Sequence, residues 1–176
     1  MKDEALAARC RGLRLIVTDV DGVLTDGTVL LLPDGGEAKA FHTRDGLAVA
    51  LARRAGLPTA ILSGRSSDAV TRRARELGID TVRQGVSDKG AAFAEMLGAL
   101  GLASQQAAYI GDDVNDLPAM LQAGLSAAPR DAAFEVRAQA YMVTDAPGGH
   151  GCFREFVEAI LRARGEWDAL VAALGA

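Results

Sequence analysis

The chain has 176 residues, 49% of them hydrophobic but only 5% aromatic, and a formal net charge of −4 at pH 7. That length fills one well-packed domain, residues 1–176, and is short for two. The acidic balance and the scarcity of rings exclude both the basic footprint and the stacking platforms of a nucleic-acid partner.

The opening MKDEALAARCRG carries acids and has no apolar core of signal-peptide length. No apolar run reaches the roughly 18 residues of a membrane span. A cytoplasmic chain with no membrane partner is therefore expected. Cys10 and Cys152 stand far apart with no CxxC spacing, which favours reduced structural thiols over a disulfide or a zinc site. The first strand is predicted over Leu15–Thr18. A β-hairpin then spans about 27–42, turning at PDGG (33–36), where a crossover helix would otherwise begin.

Helical periodicity runs through DGLAVALARRAG and stops at Gly56. Further strands are predicted over 57–62, TVRQG, 107–110, 125–128 and 141–143. The intervening helices run from a cap at Ser66, Ser67 or Asp68 to Gly78, from about Asp88 to Leu100, through LPAMLQAG, and from near Asp131. A tail of about 145–176 follows, with a Gly-rich link, a helix over Phe153–Arg164 and a short one near Trp167–Leu174. Strands alternating with helices give an α/β fold, a single doubly wound, mostly parallel sheet.

Ligands of such sheets bind beyond the carboxyl ends of the strands. There the chain places Asp19 and Asp21, then Ser63-Gly64-Arg65, then Lys89, then Gly111-Asp112-Asp113 with Asp116 beyond. Asp19, Asp21 and Asp112 repel one another unless a cation or proton compensates. An oxygen-only donor set suits Mg²⁺, and Lys89 and Ser63 offer donors for a phosphate. A carboxylate can attack phosphorus while a second carboxyl moves the protons. Asp19 is read as nucleophile and Asp21 as acid/base, because the strand end holds Asp19 more rigidly.

In order and spacing these segments resemble the four motifs of the haloacid dehalogenase (HAD) superfamily of phosphatases. The resemblance implies Mg²⁺ held by Asp19, by the Asp21 backbone carbonyl and by Asp112, with Asp113 and Asp116 in an outer shell. Only the hairpin stands between the first motif and the next helix, which resembles the capless subgroup with a Rossmann-like HAD fold and no cap domain. That subgroup implies a homotetramer whose C-terminal tail, Gly148 to Arg154, reaches a neighbouring site.

KAFHTRDG, SGR, QGVSDK and GGHGCFRE further resemble the branch acting on a small acidic sugar phosphate, 3-deoxy-D-manno-octulosonate (KDO) 8-phosphate, in lipopolysaccharide precursor synthesis. The substrate contacts then implied are Asp21, His42, Thr43, Arg44, Asp45, Gly46, Arg65, Arg73 and Lys89. Thr43, Ala50, His150 and Cys152 depart from the pattern of that branch. Thr43 is shared with phosphatases of a nine-carbon keto-acid sugar, whereas Arg65 favours the eight-carbon one.

Plainer readings stand beside these. Asp113 and Asp116 can cap a helix N-terminus, His42 and His150 can be structural, and Arg73 can belong to a solvated helix face with Arg72 and Arg75. A phosphoacceptor signalling domain also uses acids, a hydroxyl and a lysine, but needs neither Asp21 nor a second acidic motif. A silent regulatory domain would have lost Asp19 or Asp21.

Overall fold

A computed structural model describes residues 2–33 and 35–174. The strands are β1 (Leu15–Thr18), β2 (Leu30–Leu31), β3 (Glu37–Ala38), β4 (Thr59–Leu62), β5 (Thr81–Arg83), β6 (Ala107–Ile110), β7 (Leu125–Ala128) and β8 (Met142–Val143). The helices are α1 (Lys2–Arg11), α2 (Thr43–Arg54), α3 (Asp68–Leu77), α4 (Lys89–Ala99), α5 (Leu117–Met120), α6 (Phe134–Gln139), α7 (Cys152–Ala163) and α8 (Trp167–Ala172). Six strands make one parallel sheet in the order β5-β4-β1-β6-β7-β8. β2 and β3 pair antiparallel as a separate hairpin, with Leu30 opposite Ala38. Among the described residues that hairpin is all that stands between β1 and α2, so there is no cap domain.

β1 lies in the middle, with Ile16 facing Thr59 of β4 and Ala108 of β6 in register. All four of its residues are buried, because helices cover both faces of the sheet. Alternate side chains point to opposite faces. Ile16 joins a core with Val49 of α2, Phe156 of α7 and Trp167 of α8. Leu15 and Val17 join a second core with Phe93 and Met96 of α4. Each such side chain contributes about 1.5–3 kcal/mol on burial, and together they fix where β1 ends.

Cys10 and Cys152 both lie in the first core as free thiols. Burial pushes the Cys10 thiol up to about 11 and raises that of Cys152 as well. No helix among the described residues is long and apolar enough to cross a membrane.

Three helices differ from the sequence reading, and β4 and β5 are shorter than their predicted runs. Helix α1 was not expected, since its ten residues show almost no amphipathic pattern. Its alanines favour helix, and Leu6 and Cys10, four apart, supply the face that packs on the core. The helix expected through LPAMLQAG is only α5, preceded by a 3-10 turn over Val114–Asp116. The chain must leave it early because Gly124 enters β7 hard against Gln105, where a Cβ would lie 2.2 Å from the Gln105 carbonyl oxygen. Helix α6 starts at Phe134 rather than near Asp131, since the Ala133 amide donates instead to Asp112 O (2.8 Å). The turn expected at PDGG includes Asp34, which lies outside the described residues. Beside it, Leu32 N–H donates to Gly36 O (2.8 Å) and Gly35 N–H to Leu32 O (3.0 Å).

Candidate active site

The carboxyl ends of β1, β4 and β6 and the N-terminus of α4 meet around a cavity of about 250 Å³. Asp19, Asp21, Ser63, Arg65, Lys89, Asp112, Asp113 and Asn115 line it, with Gly27 and Gly64. Asp19 continues β1: its amide donates to Ile110 O of β6 (3.0 Å), which extends the ladder and fixes the side chain's direction. Ser63 is tied across β4 and β5 by its amide to Arg83 O (2.9 Å). Lys89 begins α4 directly after Asp88, whose carboxylate accepts from the Ala91 amide (2.9 Å). Capping thereby turns the lysine inward.

Lys89 Nζ lies 2.7 Å from Asp19 Oδ2 and 2.6 Å from Asp116 Oδ1. Asp116 is fully buried and its oxygens are saturated. Oδ1 accepts from Lys89 and from the Tyr109 hydroxyl (2.7 Å), and Oδ2 from the amides of Asp112 (3.1 Å) and Asp113 (3.2 Å). One carboxylate therefore holds both the lysine and the loop carrying Asp112. Asp113 caps the 3-10 turn through Val114 N–H (2.7 Å) and also faces the cavity.

Gly22, with φ +89°, lets the β1 loop pass beneath Asp112: a Cβ there would sit 1.9 Å from Asp112 Oδ2. Any side chain at this position would expel that carboxylate.

Oxygens of Asp19, Asp112 and Asp116 lie within 4.8 Å of one another. Asp116 is already saturated, so it supports the site rather than ligating. Asp112 Oδ1 is buried and without a hydrogen-bond partner, an orphan that a hard cation satisfies. The electrostatics agree. Burial, with Asp19 and Asp116 adding, pushes the Asp112 carboxyl up to about 8. Burial and then Asp116 raise Asp19 to about 6, against the pull of Lys89. Burial opposes the charge on Lys89, but Asp19 and Asp116 outweigh it and raise its pKa. The residues present fit Mg²⁺.

Not every expected substrate contact is in this cavity. His42, Asp45, Gly46 and Arg73 line a separate narrow cleft with Phe41 and Leu24, and Thr43 and Arg44 are exposed at the start of α2. His42 caps α2, its Nδ1 accepting from Arg44 N–H (3.3 Å). Asp45 is only 4% exposed and accepts from the Arg154 amide (2.8 Å) at the start of α7. Burial raises its carboxyl to about 6, although that bond and nearby cations pull down. Gly46 lies under Arg73, which pairs with Glu76 (2.8 Å). In these positions Asp45 joins α2 to α7, and Gly46 lets α3 approach α2.

The Gly148–Arg154 segment is fastened to its own chain. Gly149 N–H and Cys152 Sγ–H both donate to Val23 O (2.9 and 3.2 Å), and Gly148 N–H to Asp131 Oδ1 (2.9 Å).

Sequence reading passed over Asn115, Glu37 and Lys39. Lys39 pairs with Asp21, and Glu37 with Arg65 (2.8 Å). The two-residue strand β3, Glu37–Ala38, is too short to show in sequence that Glu37 and Lys39 turn to the same side.

A parallel sheet with this ring of acids around one lysine defines a class, and comparison agrees: the chain belongs to the haloacid dehalogenase-like hydrolases, whose family model matches residues 33–124. The 3-deoxy-D-manno-octulosonate 8-phosphate phosphatase KdsC of Escherichia coli K12 is 40% identical over 161 residues, 92% of this chain and 86% of that protein. The Moraxella catarrhalis 3-deoxy-D-manno-octulosonate 8-phosphate phosphatase, crystallised with magnesium, phosphate and KDO, superposes with a TM-score of 0.93. It is 38% identical, covering 96% of this chain and 97% of that one. The Yersinia pestis phosphatase of the same name has a TM-score of 0.90 at 39% identity, covering 93% and 89%.

Proposed function

We propose that this chain is a Mg²⁺-dependent phosphatase that hydrolyses KDO 8-phosphate to KDO and phosphate through an aspartyl-phosphate intermediate. The observation that carries this is the Asp19–Lys89–Asp116 chain of charges facing the unpartnered Asp112 oxygen across one small cavity. Lys89 holds Asp19 Oδ2, which orients the carboxylate for attack on phosphorus. The bond from phosphorus to the sugar oxygen breaks, and Asp21 gives that oxygen its proton. Asp21 then takes a proton from a water molecule, whose oxygen displaces Asp19 and releases phosphate. Lys89 and Ser63 face the phosphoryl oxygens as donors. Bound Mg²⁺, held by Asp19, Asp112 and the Asp21 carbonyl, supplies stabilisation of their negative charge.

Arg65 reaches the same cavity from the β4 loop and suits the substrate carboxylate. The activity resides in a single cytoplasmic domain serving lipopolysaccharide precursor synthesis.

A homotetramer completes this reading. On the hairpin Leu31 is 75% and Leu30 57% exposed, with Val29 and Leu32 beside them, an apolar patch that a neighbouring subunit would cover. His42, Thr43, Arg44 and Arg73 would then serve across the interface. Within the segment Gly148–Arg154, His150 is exposed and available to a neighbour.

Phosphate release measured over eight- and nine-carbon keto-acid sugar phosphates, with and without Mg²⁺, tests the activity. KDO 8-phosphate should be turned over fastest, and only with the metal. Faster turnover of the nine-carbon ester would move the assignment to that substrate, and a single stoichiometric phosphorylation would point to a signalling domain. Sedimentation of Leu31→Glu against wild type tests the assembly.

A further inference from the structure

Four charges at the base of the hairpin form a closed ring. Lys39 Nζ is ion-paired with Asp21 Oδ1 and lies 3.5 Å from Glu37 Oε1, while Arg65 lies 2.8 Å from Glu37 Oε2 (Nη2) and 3.6 Å from Asp21 Oδ2 (Nε). Each carboxylate touches both cations. Two of the four, Asp21 and Arg65, line the catalytic cavity, whereas Lys39 does not.

We propose that Lys39 is a positioning residue that holds the carboxylate of Asp21 in place for its proton transfers. The inference rests on the acid/base reading of Asp21 given above. The Lys39 side chain is only 1% exposed, an extreme burial for a lysine, whose ammonium normally extends into water. Its charge is tolerated only where carboxylates compensate it. Contact with Asp21 is thus a standing requirement of the folded hairpin rather than an optional surface pair.

Asp21 itself follows β1 in a tight turn, where the Val23, Leu24 and Thr25 amides all donate to Val20 O. The hydrogen bonds of that turn run between backbone groups, whereas the Asp21 carboxylate is held by Lys39 and Arg65. These two cations stand on separate elements, Lys39 beside β3 and Arg65 after β4, one at each carboxylate oxygen. A general acid works only within hydrogen-bond reach of the leaving oxygen, and small misplacements there cost large factors in rate. Glu37, two residues before Lys39 on the same face, closes the ring and keeps Arg65 from taking Asp21 alone.

The test uses the leaving group. An alkoxide such as the sugar oxygen needs a proton to depart, whereas p-nitrophenolate does not. In Lys39→Met, kcat/KM for KDO 8-phosphate should fall at least about tenfold, part of the roughly 10²–10⁴-fold that general acid–base catalysis supplies. For p-nitrophenyl phosphate it should change less than about twofold. Lys39→Arg should restore most of the loss. In an Asp21→Asn background, Lys39→Met should cost nothing further on KDO 8-phosphate, since the two act as one unit. Equal falls on both substrates, or an undiminished further loss in the Asp21→Asn background, would reduce Lys39 to a support of the hairpin and overturn the proposal. A wild type that ignores KDO 8-phosphate but turns over another alkyl phosphate refutes the substrate reading alone, and the same comparison then decides on that ester.

Discussion

Two regions of this molecule use buried acids in opposite ways. At the strand ends, Asp19, Asp112 and Asp116 crowd around one lysine, leaving an oxygen of Asp112 unpartnered and facing a cavity. In a separate cleft at the start of α2, Asp45 is at least as buried as Asp19 but accepts from the first turn of α7. The first arrangement accumulates unfavourable charge that a cation and a phosphoryl group relieve. The second places a carboxylate where a helix N-terminus welcomes it. Burial of an acid therefore does not mark a catalytic group. Nor does an unpartnered oxygen by itself, since Asp45 Oδ2 is also buried without a partner; the crowding of three carboxylates around one point does.

The sharpest break of this comparison is Asp19→Asn. Turnover of the sugar phosphate should fall by at least about 10⁴-fold, as for other nucleophile deletions, while the melting temperature holds or rises because repulsion in the cluster drops. Near-normal turnover would remove Asp19 from the nucleophile's role.

Lys89→Met comes next. It leaves two buried carboxylates without their shared cation, so stability measured without metal should fall by about 3–5 kcal/mol, with activity lost as well. A stable, metal-free variant would mean the acids do not depend on that lysine.

Metal and pH sharpen the contrast further. Asp19 and Asp112 have folded pKa values raised from 3.8 to about 6 and about 8. The native state therefore holds more protons than the unfolded chain between these values. Stability of the metal-free protein is highest below about pH 4 as far as these two groups are concerned, and is lost as pH rises through 6 and 8. Added Mg²⁺ should cancel the decline, bind more tightly at higher pH and release protons on binding. Thermal melts with EDTA or Mg²⁺ across pH 5–9 check this, and flat EDTA melts would refute it.

The smallest effect is at the other acid. The Asp45 carboxyl is raised from 3.8 to about 6, so its contribution is favourable below 3.8 and is lost as pH passes 6. Asp45→Asn keeps an acceptor for the Arg154 amide and removes the charge. It should add up to about 3 kcal/mol of stability at pH 8 and none at pH 4. Turnover reduced 100-fold with unchanged stability would instead make Asp45 a functional group and erase the distinction between the two regions.

Much of the catalytic cavity was legible because it is built from strand ends. β1, β6 and β7 have the bounds their apolar runs predicted, and whatever follows a buried parallel strand must emerge at the same edge of the sheet. The saturation of Asp116 was not legible, since it depends on Tyr109 and two backbone amides meeting one carboxylate. Helix α1 escaped because its face is two residues wide. Lys39 escaped because a two-residue strand offers too short a pattern to show which way its side chains turn.

Sequence by itself determined the sheet, the order of its helices and the identity of the acids and lysine at its edge, because strand burial and helix periodicity are local properties of the chain. Only the tertiary structure decided which charges touch. It paired Lys39 with Asp21, gave Asp116 to Lys89, left an oxygen of Asp112 unpartnered and turned Asp45 toward α7. Those choices depend on distances between elements far apart in the chain, and electrostatic energy in a low-dielectric interior is set by such distances.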